Sequence, residues 1–212
     1  MATLLTGVAR DAKGGAVLVS ADGGVLYIAG QSEWPDALHG LPVLVLGRAH
    51  REHHVPVAVR DASGAWSQGK TSGAPDDVIH DAVWMPAEWT IRHSDGSGNL
   101  AVISMESPAD GGPGAPNARW RYDPVTPLQS SSGFYSGGEA RSGSASALDA
   151  AHLWRHLIAV LDAHADHAEC REMGTSMIAV KTAKGERSVV VRSCAARDAF
   201  ETALGVITTS SS

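Results

Sequence analysis

Along the first third of the chain, apolar residues come in short runs broken by glycine-rich turns. Leu4 to Ala9, Ala16 to Ser20 and Val25 to Ala29 are β-prone and are separated by Lys13-Gly14-Gly15 and Asp22-Gly23-Gly24, which predicts a three-stranded meander. Ser32 to Gly40 reads as a single helical turn closed by glycine. Leu41 to Gly47 is a wholly apolar strand that gives way to Arg48-Ala-His-Arg-Glu-His-His54. A tract holding Pro56, Gly64, Gly69, Gly73 and Pro75 reads as an extended loop, and Asp77 to Trp84 alternates as one more strand. Short strands with one helical turn and one long excursion predict a small closed barrel over residues 1–86, because closure removes the free edges of so short a sheet.

Past Pro86 the periodicity changes. Trp89 to Ser94 and Leu100 to Met105 flank Asp95-Gly-Ser-Gly-Asn99 as a hairpin, Ser107 to Asn117 is a Pro/Gly loop, and Ala118 to Tyr122 alternates with Trp120 and Tyr122 on one face and Arg119 and Arg121 on the other. A Ser/Gly-rich stretch follows, from Gln129 to Ser146. From 147 to 165 the spacing becomes helical: Leu153, Trp154, Leu157, Ile158, Val160 and Leu161 share one side, and His152, Arg155 and His156 the other. Residues 177–192 form a hairpin turning at Ala183-Lys-Gly-Glu186, and residues 195–204 form a closing helix that Gly205 is expected to end. The fold class read from this pattern is α+β, a small β-barrel followed by an antiparallel sheet with helices packed on one face, with domains at 1–86 and 87–212.

Composition narrows the function. The chain is 43% hydrophobic and 19% charged, enough for a core and too apolar for a disordered chain. The formal charge of −6 is shared evenly between the two halves, with no basic cluster of the kind that neutralises nucleic-acid phosphates. Arg48, Arg51, Arg60 and Lys70 with Trp66 are the one set that would serve single-strand binding through the barrel. No run of 18 apolar residues and no export-type amino terminus is present, so a cytoplasmic location and no membrane partner are expected. Cys170 and Cys194 lack metal-ligand spacing and are either two thiols or one bridge; the missing export segment favours thiols.

Two resemblances attach to particular residues. Leu5-Thr-Gly-Val-Ala-Arg-Asp-Ala-Lys-Gly-Gly-Ala-Val, Tyr27-Ile-Ala-Gly, Trp34-Pro-Asp-Ala-Leu-His-Gly and Val43-Leu-Val-Leu-Gly47 resemble small bacterial OB-type barrels over residues 3–85. That resemblance implies a shape and no particular ligand. Residues 128–206, with Ser136-Gly137-Gly138 ahead of a helix, a hairpin and a closing helix, are similar to emfourin-type metalloprotease inhibitors. Kinship would imply inhibition of a zinc protease by direct docking. The glycines lie far inside the chain, and Glu139-Ala140-Arg141 stands where that family has an aromatic residue.

Candidate chemistry is sparse. His50, His53 and His54 with Glu52 form the densest metal-capable cluster, although strand positions i and i+2 lie about 7 Å apart, long for ligands of one ion. His152 and His156 have the i, i+4 spacing of a helical ligand pair but lack the glutamate of HExxH. Ser130, Ser131, Ser132 and Ser136 match neither GxSxG nor SxxK, so the serine-rich segment reads first as a glycine-permitted bulge or turn. Among the tryptophans, Trp120 and Trp154 are expected in the core, Trp34 at the barrel mouth, and Trp84 and Trp89 between the two halves. Trp66 stands in a polar loop, where it either packs back onto the barrel or, exposed, serves as an interface anchor. No cofactor motif and no assembled catalytic set is present. The expectation is a non-catalytic, inhibitor-like or immunity-type protein that binds a protein partner through Trp66, Ser132, Phe134, Tyr135, Ser136, Gly137 and Gly138. A metal-assisted hydrolase using the histidines is the alternative, and single-strand nucleic-acid binding the second.

Overall fold

The computed structural model describes residues 3–54, 57–60, 63, 66–69, 75–94, 100–106, 117–124, 128–130, 133–135, 140–163, 176–191 and 194–209. Backbone packing divides the chain into two compact units, Met1–Val83 and Trp84–Ser212.

The first unit is a closed five-stranded barrel of β1 (Thr3–Ala12), β2 (Gly15–Val19), β3 (Val25–Ile28), β4 (Pro42–Glu52) and β7 (Asp76–Pro86, which passes the division), in the order β1-β2-β3-β7-β4. β1 closes the ring because it is long enough to pair twice, with β2 from Val8↔Val19 to Ala12↔Gly15 and with β4 from Thr3↔Gly47 to Val8↔Pro42. β3 and β7 run parallel, Tyr27 facing Val78, and all five strands are thereby paired on both sides. The topology is compatible with an OB-like barrel. Leu18, Ile28, Val43, Leu44, Val45, Val78 and Ile79 are buried in this unit, each at most 1% exposed and each worth about 1.5–3 kcal/mol of burial.

Ser32 to Gly40 does form one turn of helix, with the Leu38 and His39 N–H groups both donating to the Pro35 carbonyl. Gly40, at φ +82°, ends it and donates its N–H to the Ala9 carbonyl. Trp34 is 2% exposed: its indole N–H donates to the Val17 carbonyl at 2.8 Å and its backbone N–H to Asp11 Oδ1 at 2.8 Å.

Two features depart from the sequence pattern. β4 runs five residues past its apolar stretch, to Glu52, because the polar positions pair across to β7. The tract read as a loop contains a ladder of β5 (Val57–Arg60) and β6 (Trp66–Gly69), with Arg60 opposite Trp66. Its scattered glycines and prolines hid two four-residue strands.

The second unit is a six-stranded antiparallel sheet with two helices. The strands are β8 (Glu88–Ser94), β9 (Leu100–Glu106), β10 (Asn117–Pro124), β13 (Arg141–Ser146), β14 (Ser176–Thr182) and β15 (Gly185–Val191), in the order β13-β10-β9-β8-β14-β15. A separate pair, β11 (Leu128–Ser130) and β12 (Gly133–Tyr135), occupies part of the Ser/Gly-rich stretch as a small hairpin. Helix α1 (Ala147–Asp162) begins at Ser146, whose hydroxyl accepts from the Asp149 N–H at 3.1 Å and donates to the Asp149 carboxylate at 2.6 Å. Helix α2 (Cys194–Thr209) packs against α1 and β13 and continues through Gly205, a residue whose backbone tolerates helix as well as termination.

Alternation along the strands separates two faces. On the helix side Trp120 stands level with Gly143 and Met105, and Met105 with Trp89. The Trp89 ring meets Trp154 of α1 edge-on, 5.1 Å between centroids. Trp89 therefore belongs to this unit's own core, together with Ile91, Leu153, Leu157, Ile178 and Phe200. On the opposite face a polar row crosses all six strands, Ser142–Arg121–Ser104–Thr90–Lys181–Glu186. No helix among the described residues is long and apolar enough to cross a membrane.

Candidate functional site

The densest group of polar side chains in the barrel lies where β4 and β7 lead into and out of the long excursion. Gly47 permits the crossing: a Cβ there would lie 2.4 Å from Ile79 Cγ2 and 2.8 Å from the His80 carbonyl oxygen. Beyond it Asp81 adopts φ +52°, a left-handed conformation that Asp reaches more easily than most residues, and it ion-pairs with Arg48. Arg51 Nε lies 3.4 Å from Asp77 Oδ1. His80 Nε2 lies 3.1 Å from Glu52 Oε1, and its ring stands nearly perpendicular to that of His50, 5.2 Å between centroids. Four cross-strand contacts thus hold a ribbon whose Arg48-to-Glu52 side is mostly exposed.

His54 fixes the root of the excursion to three other elements. Its Nε2 lies 3.2 Å from the Gly14 carbonyl in the β1–β2 turn, and its ring packs on Tyr27 of β3 at 4.8 Å. Its backbone N–H donates to Asp76 Oδ2 at 3.2 Å, at the start of β7. The β1–β2 turn, β3 and both ends of the excursion therefore meet at one end of the barrel.

His50, His53 and His54 do not converge. His50 turns toward His80, His54 toward Tyr27 and Gly14, and His53 is exposed between them. On α1, His152 and His156 are half-buried neighbours. Desolvation, then the charges of Arg155 and His152, lowers the pKa of His156 and favours its neutral form. Among the described residues, no group of three or more His, Cys, Asp or Glu side chains is arranged to hold a metal ion. The second unit has one buried polar atom worth naming: Trp120 Nε1 has no acceptor among the described residues.

For the expected binding residues, the backbone places Trp66 opposite Arg60, Phe134 opposite Gln129 and Tyr135 opposite Leu128. Ser132, Ser136, Gly137 and Gly138 lie outside the described residues, as does Cys170. The sequence reading missed Tyr27, Asp76, His80 and Asp81. His80 interrupts the β7 alternation with an aromatic base facing the histidine-rich end of β4, the one local hint that these strands pair there.

No protein-family model matches the chain, and no curated protein and no solved structure matches it either. The similarity to emfourin-type inhibitors accordingly rests on Ser136-Gly137-Gly138 and the order of elements alone.

Proposed function

We propose that this chain is a non-catalytic binding module for a protein partner, of inhibitor-like or immunity-like character. The observation that carries the reading is the anchored excursion: His54 ties its root to Gly14, Tyr27 and Asp76, and its β5–β6 ladder sets Arg60 opposite Trp66. Strands of four residues are marginal as a lone hairpin in water, so a fixed root and a partner surface both favour the paired state. Arg and Trp are the residue types that dominate contact energies between proteins. The charges around the root are satisfied by one another instead of converging on a reacting atom.

The alternatives have less in their favour. A metal-assisted hydrolase through His50, His53 and His54, or through His152 and His156, would need ligands brought to one point. Nucleic-acid binding through the barrel would draw on Arg48, Arg51, Arg60 and Lys70 with Trp66, and of these Arg48 and Arg51 are already paired with Asp81 and Asp77. The test is quantitative affinity capture from lysate of the source organism, with each recovered protein purified and its binding remeasured. A partner held by wild type and weakened at least about tenfold by Arg60→Ala with Trp66→Ala supports the reading. Unchanged binding by that variant and by Phe134→Ala with Tyr135→Ala refutes it, and stoichiometric transition metal in chelator-free protein would favour the hydrolase.

A further inference from the structure

The six-stranded sheet ends differently at its two edges. On β15 charged side chains guard the edge, Glu186 pairing with Arg92 and Arg187 with Asp162. On β13, Ser142-Gly-Ser-Ala-Ser146 holds no charge and no proline, and among the described strands β13 pairs with β10 alone. Ser142, Ser144 and Ser146 are exposed and Gly143 half-exposed. An outer strand presents N–H and C=O groups at every second residue, and natural edges are commonly guarded by charge, proline or a bulge. The run from Ser142 to Ser146 has a further property: read in either direction, it alternates serine with glycine or alanine. Set antiparallel to a second copy of itself about Ser144, it brings serine opposite serine at 142, 144 and 146 and glycine opposite alanine between them. No charge then faces a like charge, and nothing larger than a hydroxymethyl group stands in the seam.

A second observation comes from the helix layer. Leu148 and Val206 are, with Val25, the large apolar side chains exposed among the described residues, at 44% and 45%. Leu148 lies in the first turn of α1, two residues past the end of β13. α1 then runs away from this edge, since its last residue, Asp162, pairs with Arg187 of β15. α2 returns toward it. It starts three residues after Val191 of β15, and its 16 residues span about 24 Å, which matches the width of six strands spaced about 4.8 Å apart. Because α2 packs against β13 at the far edge, its carboxyl-terminal half, with Val206, is the part that arrives there. The uncharged strand thus has an exposed apolar residue on each of the two helix ends nearest to it. Charge does not choose what covers this edge: Arg119, level with Ser144, stands beside Glu106, and Glu106 beside Glu88, so the adjoining open face carries both signs.

We propose that β13 is the interface between two copies of this chain. The two edges pair antiparallel about a two-fold axis at Ser144 and continue the sheet from one copy into the other, while Leu148 and Val206 lose exposed apolar surface beside the seam. A two-fold interface demands a surface complementary to itself. The serine-alternating run meets that demand through its own sequence, and the apolar helix ends supply burial that a short strand pair lacks. A segment of an unrelated protein would use the same backbone groups but would gain nothing from the repeat. The inference goes beyond the reading of the chain as a binding module and does not depend on it, because the excursion from His54 to Asp76 belongs to the other compact unit.

The test is sedimentation equilibrium of the full chain over a range of concentrations, with amide hydrogen exchange at Gly143 to Ala145 followed over the same range. The chain is expected to dimerise, and β13 to become protected as it does. Ser144→Glu sets two like charges opposite each other at the axis and should weaken dimerisation at least about tenfold, as should Ser144→Lys. Mixing those two variants should restore dimers, because glutamate then faces lysine. Ser188→Glu, at an exposed position of β15, should leave the dimer intact. Circular dichroism checks that each variant folds; if one does not, the link between concentration and β13 protection in the wild type decides. A chain that stays monomeric at every concentration, a dimer without protection of β13, or a dimer unaffected by Ser144→Glu and Ser144→Lys would overturn the proposal. A monomeric chain that still captures a partner through Arg60 and Trp66 removes this inference and leaves the binding-module reading standing.

Discussion

Replacing Trp34 separates burial from hydrogen bonding in the barrel. The indole is 2% exposed and its N–H donates to the Val17 carbonyl at 2.8 Å. Trp34→Phe keeps most of the ring and removes the donor, leaving a carbonyl of β2 without that partner, at a cost of about 1–3 kcal/mol. Trp34→Ala also empties the ring's volume, for a total of about 3–5 kcal/mol. Asp11 still accepts from the backbone N–H of residue 34 in both variants, so the turn keeps its second tether. Native-state hydrogen exchange at β1 and β2 amides reads the effect directly, since about 1.4 kcal/mol changes an opening equilibrium tenfold. Trp34→Phe should speed exchange there by roughly five- to a hundredfold, and Trp34→Ala by more. An alanine variant within about 0.5 kcal/mol of wild type would refute the placement of this ring in the core. Equal losses in the two variants would show that the hydrogen bond, and not ring burial, dominates.

Three further outcomes follow from named contacts. Gly47→Ala forces a Cβ against Ile79 and the His80 carbonyl, and should destabilise the barrel by about 1–3 kcal/mol in urea unfolding; a neutral result would mean that β4 and β7 separate freely. Ser146→Ala removes the cap of α1 and should cost about 1 kcal/mol, with faster exchange confined to the first helical turn. The folded-state pKa of His156 lies below its unfolded value of 6.5, so its neutral form favours the fold at higher pH and that contribution is lost as pH falls below about 6.5. Unfolding measured between pH 7.5 and 5 should therefore fall less steeply in His156→Gln than in wild type, and parallel curves would exclude the effect.

Much of the barrel was legible because its apolar runs and turn signals are local. Leu41 to Gly47 reads as a buried strand without help from elsewhere, and Lys13-Gly14-Gly15 ends β1 by its own chemistry. The sheet of the second unit was legible for the same reason: Trp120 and Tyr122 alternate with Arg119 and Arg121, and the ladder keeps them on separate faces. The extension of β4 to Glu52 was not legible, because its support comes from Asp77, His80 and Asp81, far along the chain. The β5–β6 ladder escaped notice because its strands are short and their apolar residues few. Trp89 was expected between the two halves on sequence proximity to Trp84, yet its ring meets Trp154, which only the packing of α1 on the sheet brings near. At the candidate site, histidine density marked the end of β4, where His50 on the strand and His54, two residues beyond it, turn to different neighbours.

The parallel pairing of β3 with β7 joins Tyr27 to Val78 across everything between them, including the whole excursion from His54 to Asp76. Chain-closure entropy grows only with the logarithm of the enclosed length, about 0.6 kcal/mol for each doubling. The ring is therefore nearly indifferent to how much chain the excursion contains, provided that His54 and Asp76 still meet. That junction is a natural splice point, where a lineage, or an engineer grafting a recognition loop, can lengthen or exchange the arm while the barrel beneath keeps its register.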